Sequence, residues 1–209
     1  LTFSAEGCYV GGAREARRWV DDLARRIGTQ PRERIEHEYT ALQAMQHFAG
    51  CAELGGPSCR PSWGGETGGY ERGSYIGASR MLIESLPDPQ AVAELISEPS
   101  GLYTIVDTFG GAAARSDSAF PYRNALSSIQ VLHDVGGAAG DERTVRRTVR
   151  QVRNELAKHT GETGYVNYID PEMPDWASAY YGANLPRLRR AARRYDPDAL
   201  FPFPQGLAG

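Results

Sequence analysis

The stretch Leu102-Tyr103-Thr104-Ile105-Val106-Asp107-Thr108-Phe109, stopped by Gly110-Gly111, sets the fold class. Its β-branched and aromatic residues predict a strand. Alternation puts Tyr103, Ile105, Asp107 and Phe109 on one face. Asp107 is then a carboxylate on a mostly apolar stripe near a strand end. It either serves a pocket or caps the turn at the glycine pair, and the residues alone leave both open. A second strand is predicted over Ala125 to Val135, carrying Gln130, and a short one at Ser74-Tyr75-Ile76. Apolar spacing predicts a helix over about 89–97, with Ala91, Val92, Leu95 and Ile96 inward. Another starts at Asp141 as N-cap, with Val145, Val149, Val152 and Leu156 as its buried stripe. Helices among long strands, without regular strand–helix–strand alternation, point to an α+β fold. Its sheet is expected to be antiparallel and covered by helices on one side, with a helical C-terminal tail.

Outward from this centre the signals weaken. Residues 2–10 read as a strand, followed by a helix whose stripe is Ala16, Trp19/Val20, Leu23 and Ile27. This helix is expected to lie on the surface and cover a sheet, and Gly28 stops it. Residues 33–48 fit helix or strand equally. Residues 50–70 form a glycine- and proline-rich loop long enough to be functional or mobile. Cys51 and Cys59 lie in that loop; they can bridge under oxidising conditions, but two ordinary thiols are the preferred reading. Two short helices close the chain. Asp175 can cap the first and Asn184 the second, with Leu185, Leu188, Ala192 and Tyr195 inward.

Composition narrows the function. Of 209 residues 41% are hydrophobic and 23% charged, enough for a core and unlike a disordered chain. No apolar run approaches the ~20 residues of a membrane span. A net charge of −3 argues against nucleic-acid binding by bulk electrostatics. Four histidines and three cysteines show no zinc spacing, so no metal is expected. The first residue is Leu1, and the chain is expected to be a piece of a longer protein. A cytoplasmic location is favoured, although any export signal would precede Leu1.

Three stretches carry a resemblance. One is Tyr165-Val166-Asn167-Tyr168-Ile169-Asp170. A second runs from Trp176 through Tyr180-Tyr181-Gly182, Asn184 and Arg187-Leu188 to Tyr195-Asp196-Pro197-Asp198, Phe201 and Gln205. The third is Phe109-Gly110-Gly111-Ala112 with Ala119-Phe120-Pro121-Tyr122-Arg123. In order and spacing they resemble the C-terminal half of the berberine bridge enzyme-like FAD-linked oxidases, of the vanillyl-alcohol oxidase/p-cresol methylhydroxylase superfamily. Tyr122 stands where that family commonly has His.

The resemblance implies a division into a substrate-binding (cap) domain, 1–164, and a segment, 165–209, that would pack on an N-terminal FAD-binding domain. It implies dehydrogenation of a hydroxyl- or phenol-bearing small molecule, a sugar or secondary metabolite, with hydride passing to flavin N5 and O2 giving H2O2. Tyrosine, aspartate and asparagine cannot take up two electrons, so such chemistry needs the flavin. By resemblance Tyr168 is the candidate base and Asp107 shares that role or orients substrate. Asn167 and Tyr165 are the candidate flavin contacts, and Gln130 is a pocket candidate. A free tyrosine has a pKa near 10, so Tyr168 as a base would need surroundings that favour the phenolate. The implied partners are the FAD-binding domain or subunit, the small-molecule substrate and O2. Leu200, Phe201 and Phe203 in the tail predict a covering partner or self-association. The alternative is a stand-alone, cofactorless domain that binds a small ligand or a protein.

Overall fold

β3 (Ser127–Asp134) is the central strand of a three-stranded antiparallel sheet of order β1-β3-β2, between β1 (Tyr75–Leu82) and β2 (Leu102–Thr108). The computed structural model describes residues 3–52, 58–62, 67–69, 73–135, 141–200 and 202–207. The chain divides into two units, Leu1–Arg72 and Gly73–Gly209.

In the second unit, register decides the faces. Ala78 pairs with Val131 and Val131 with Thr104, so these side chains share one face. On it lie α3 (Pro89–Ser97) and α4 (Glu142–Thr160), whose Val92, Val145, Val149, Val152 and Leu156 close the core over Ala78, Ile129 and Val131. The expected α+β arrangement, with helices on one side of an antiparallel sheet, is the one observed. Both helix starts follow their caps: Asp88 accepts from the Ala91 N–H and Asp141 from the Thr144 N–H. Each such cap stabilises by ~1 kcal/mol.

β1 is longer than the short strand read at Ser74–Ile76, because Ser79 and Arg80 break its apolar pattern and yet are buried in it. Arg80 is buried and donates to the carbonyls of Arg153 and Thr163, at 3.2 and 2.8 Å. Its third nitrogen lies 3.0 Å from Glu162 Oε2, out of hydrogen-bond alignment. The C-terminal helices α5 (Trp176–Tyr181) and α6 (Leu185–Tyr195) start where expected, but neither is capped by a side chain. Asp175 has a left-handed backbone, and the Asn184 amide donates instead to the Ala119 carbonyl at 2.8 Å. Tyr195, expected inward, is exposed.

The first unit departs more. Its elements are α1 (Ala13–Ile27) and α2 (Ala41–Phe48), which settles the ambiguous 33–48 stretch as helix over its second half. The strand read over 2–10 is absent from the described residues 3–10, since alternation without a partner ladder does not hold a strand. The apolar stripe of α1 is not covered: Trp19 is 60% and Ile27 52% exposed. Cys51 and Cys59 form a disulfide, not the two thiols preferred from the sequence; their Cα atoms lie 5.4 Å apart, within bridging range. The 50–70 loop lies partly outside the described residues.

Candidate active site

On the sheet face away from the helices, Asp107 pairs in register with Ser128, and Ile105 with Gln130, which in turn pairs with Ser79. Alternation therefore gathers Tyr103, Ile105, Asp107, Ser128, Gln130 and Ser79 on this face. Over it runs the turn 165–168, closed by a bond from the Tyr168 N–H to the Tyr165 carbonyl at 2.9 Å. Two anchors hold its entry. The Tyr165 N–H donates to Ser79 Oγ at 3.0 Å, and the Gly164 N–H to the Ala179 carbonyl at 3.0 Å. A side chain at Gly164 would bring a Cβ within 2.7 Å of the Tyr180 ring, so only glycine lets the segment entering the turn lie this close.

The turn brings Tyr168 to Asp107, 61 residues earlier, and the phenol donates to Oδ2 at 3.1 Å. The Asn167 amide donates to the Tyr165 hydroxyl at 2.8 Å. Tyr165 meets Tyr168 edge-on, with centroids 5.0 Å apart, and packs on Phe109 and Phe120 at 5.7 and 5.5 Å. These are the edge-to-face contacts that aromatic quadrupoles favour. The glycine-pair stretch thus contributes a wall to the turn that carries Asn167 and Tyr168. Tyr122 is tied elsewhere: its hydroxyl donates to the Ala179 carbonyl.

Of the residues singled out from sequence, Tyr165, Asn167, Tyr168 and Asp107 come together. Gln130 lies on the same face, buried, without sharing a hydrogen bond with them. Ser128 and Ser79 were missed. Ser128 is fully buried opposite Asp107 with an unpartnered hydroxyl, and the only sequence signal is its place two residues before Gln130. A cavity of about 540 Å3 lined by Glu142, Arg143, Arg146, Arg147, Arg150 and Glu172 contains none of these residues.

Electrostatics assign unequal parts. Partial burial first, and then the neighbouring Asp107 carboxylate, push the Tyr168 phenol up to about 12. At pH 7 such a phenol is ionised about once in 10^5. The surroundings that would make Tyr168 a ready phenolate are thus the reverse of those found, whereas Asp107 stands in position to receive its proton.

Residues 164–208 match the family model described as berberine and berberine like. An uncharacterised FAD-linked oxidoreductase of Bacillus subtilis is 38% identical over 102 residues, which is 47% of this chain and 22% of that protein. A chitooligosaccharide oxidase of Gibberella zeae is 22% identical over 98% of this chain and 43% of its own length. In fold, the chain is similar to the structure of Physcomitrella patens BBE-like 1. That match has a TM-score of 0.77 at 24% identity and covers 95% of this chain and 43% of the other. The chain thus spans less than half the length of these proteins, and the resemblance read from its motifs to the C-terminal part of berberine bridge enzyme-like FAD-linked oxidases stands.

Proposed function

We propose that this chain is the substrate-side portion of an FAD-dependent oxidase that dehydrogenates a hydroxyl-bearing small molecule of the oligosaccharide class. The observation that carries the reading is the Tyr168–Asp107 hydrogen bond on the open sheet face. The similarity to the chitooligosaccharide oxidase of Gibberella zeae supports the substrate class.

The residues present fit one edge of a flavin. Asn167 offers an exposed amide, Tyr165 and Tyr168 offer hydroxyls and ring faces, and Phe109 and Phe120 form an apolar wall behind them. In this reading Asn167 and Tyr165 touch the ring system, and the segment 165–209 packs on an FAD-binding domain outside the chain. Bound FAD would supply the two-electron acceptor, taking hydride at N5 and passing the electrons to O2 to give H2O2.

This chain's own task is the proton. As the carbon–hydrogen bond of the substrate alcohol yields its hydride, the hydroxyl proton must leave. Tyr168 accepts it while its own phenolic proton passes to Asp107 Oδ2, so that no free phenolate forms. Asp107 is the terminal base and Tyr168 the relay. Gln130 and the Ser128 hydroxyl remain on the same face to hydrogen-bond the polyol. Exposed Leu200 and Phe203 in the tail suit burial against the FAD-binding domain.

The test uses the full-length, flavin-loaded protein with chitobiose as probe, following anaerobic flavin bleaching and aerobic H2O2. Asp107→Asn and Tyr168→Phe are each expected to slow bleaching by about 10^2–10^4-fold, the usual range for a lost acid–base group. Rates within a few-fold of the parent in both variants would overturn the assignment.

A further inference from the structure

Tyr168 reaches Asp107 from a turn packed through Val166 and Tyr165 and tied by hydrogen bonds at its two ends. The entry rests on Ser79 and Gly164, as described. The exit is Asp170, and there every polar atom of one residue is taken. Its Oδ2 accepts from Arg153 at 2.6 Å and its Oδ1 from the Glu172 N–H at 2.8 Å. Its N–H donates to the Tyr180 hydroxyl at 2.9 Å, and its carbonyl accepts the Gln205 amide at 2.8 Å. Asp170 is 5% exposed, and Arg153, Tyr180 and Gln205 are buried with it.

Those partners come from three places: Arg153 from α4, Tyr180 from α5 and Gln205 from the tail. The Gln205 carbonyl oxygen is buried without a partner, which costs ~1–3 kcal/mol. The side chain is therefore held there for its N–H to Asp170.

We propose that Asp170 is a positioning residue, locking the 165–168 turn through Arg153, Tyr180 and Gln205 so that the Tyr168 hydroxyl stays on Asp107. The proposal deepens the proton-relay reading and rests on it for its catalytic meaning. Because every polar atom of Asp170 is paired, a shift of the turn breaks several of these bonds at once, and one geometry is favoured. A single residue, Ile169, separates Asp170 from Tyr168, so play at the clamp is passed on to the phenol. Drift of the turn would break the 3.1 Å bond from the Tyr168 hydroxyl to Asp107.

The readout needs no turnover. In the 209-residue chain with tyrosine labelled at 13Cζ, the Tyr168 resonance is assigned by its loss in Tyr168→Phe and titrated into alkali. In the parent it is expected to titrate near 12. In Asp170→Asn and in Gln205→Ala it should fall by about one pH unit or more, toward the ordinary value near 10. Backbone amide shifts of β2 and α4 that match the parent report an intact fold. A folded variant in which Tyr168 still titrates with the parent midpoint overturns the clamp. If Asp170→Asn unfolds, Gln205→Ala decides alone, since it removes one neutral hydrogen bond and leaves the Arg153–Asp170 pair. Normal titration shifts combined with unaffected bleaching in Tyr168→Phe would keep the clamp and discard the relay.

Discussion

Helices α4 and α1 are the two longest in the protein, and both carry apolar residues at helical spacing, yet their surroundings are opposite. In α4, Val145, Val149, Val152 and Leu156 are almost fully buried; in α1, Trp19, Val20, Leu23 and Ile27 are all exposed. The first unit relies on other devices. Arg34 bridges Asp21 and Glu36, Arg17 also reaches Glu36, and Thr40 and Gln43 form a capping box at α2. Exposed pairs of this kind contribute little, being screened by solvent, and the Cys51–Cys59 bridge adds a covalent tie. Periodicity names the face a helix would bury; whether it is buried depends on a surface to meet it. The second unit supplies that surface in its sheet, and it also holds a buried ion pair, Arg153–Asp170, whereas the ion pairs named above in the first unit lie at the surface.

This contrast can be broken at three points. The largest effect is expected from Arg153→Ala, which leaves the Asp170 carboxylate buried and unpaired. Loss of such a partner costs ~3–5 kcal/mol, measurable by urea unfolding; a loss below about 1 kcal/mol would place this pair with the surface ones. Next comes reduction of Cys51–Cys59. Opening a bridge with a sequence separation of 8 should remove about 2–3 kcal/mol locally. Hydrogen exchange would then quicken in α2 and stay unchanged in α4, and quickening in both would merge the two units into one cooperative body. The smallest effect is Trp19→Ala, expected within about 0.5 kcal/mol because an exposed ring gives up little on removal. A thermal shift corresponding to more than about 1 kcal/mol would show that the α1 face is covered in solution.

The same contrast explains what could be read beforehand. The α4 stripe and its Asp141 cap are local signals, and both hold. Asp107 and the other alternating residues of β2 were placed on the right face for the same reason. β1 was underread because Ser79 and Arg80 interrupt the apolar pattern; a buried arginine obeys partners 73 and 83 residues away, which no window contains. The strand over 2–10 failed because alternation was present and a ladder was not. Asn184 and Asp175 marked helix starts correctly, although the Asn184 amide serves Ala119 instead of its own helix. At the site, Tyr165, Asn167, Tyr168 and Asp107 were legible through motif resemblance. Asp170 and Gln205 stood within the quoted motifs without a role, since their bond becomes visible only when the tail has returned to the turn.

The span of these contacts along the chain also has a consequence in time. Helix α4 and its cap form from neighbours, whereas Tyr168 meets Asp107 across 61 residues, Thr163 meets Arg80 across 83 and Gln205 meets Asp170 across 35. Loop closure delays such distant pairings until the intervening elements are in place. The Tyr168–Asp107 contact needs β2 in its sheet and the 165–168 turn laid over it, so it is expected to form after the sheet. An intermediate with native helix and strand content would still lack the Tyr168–Asp107 bond.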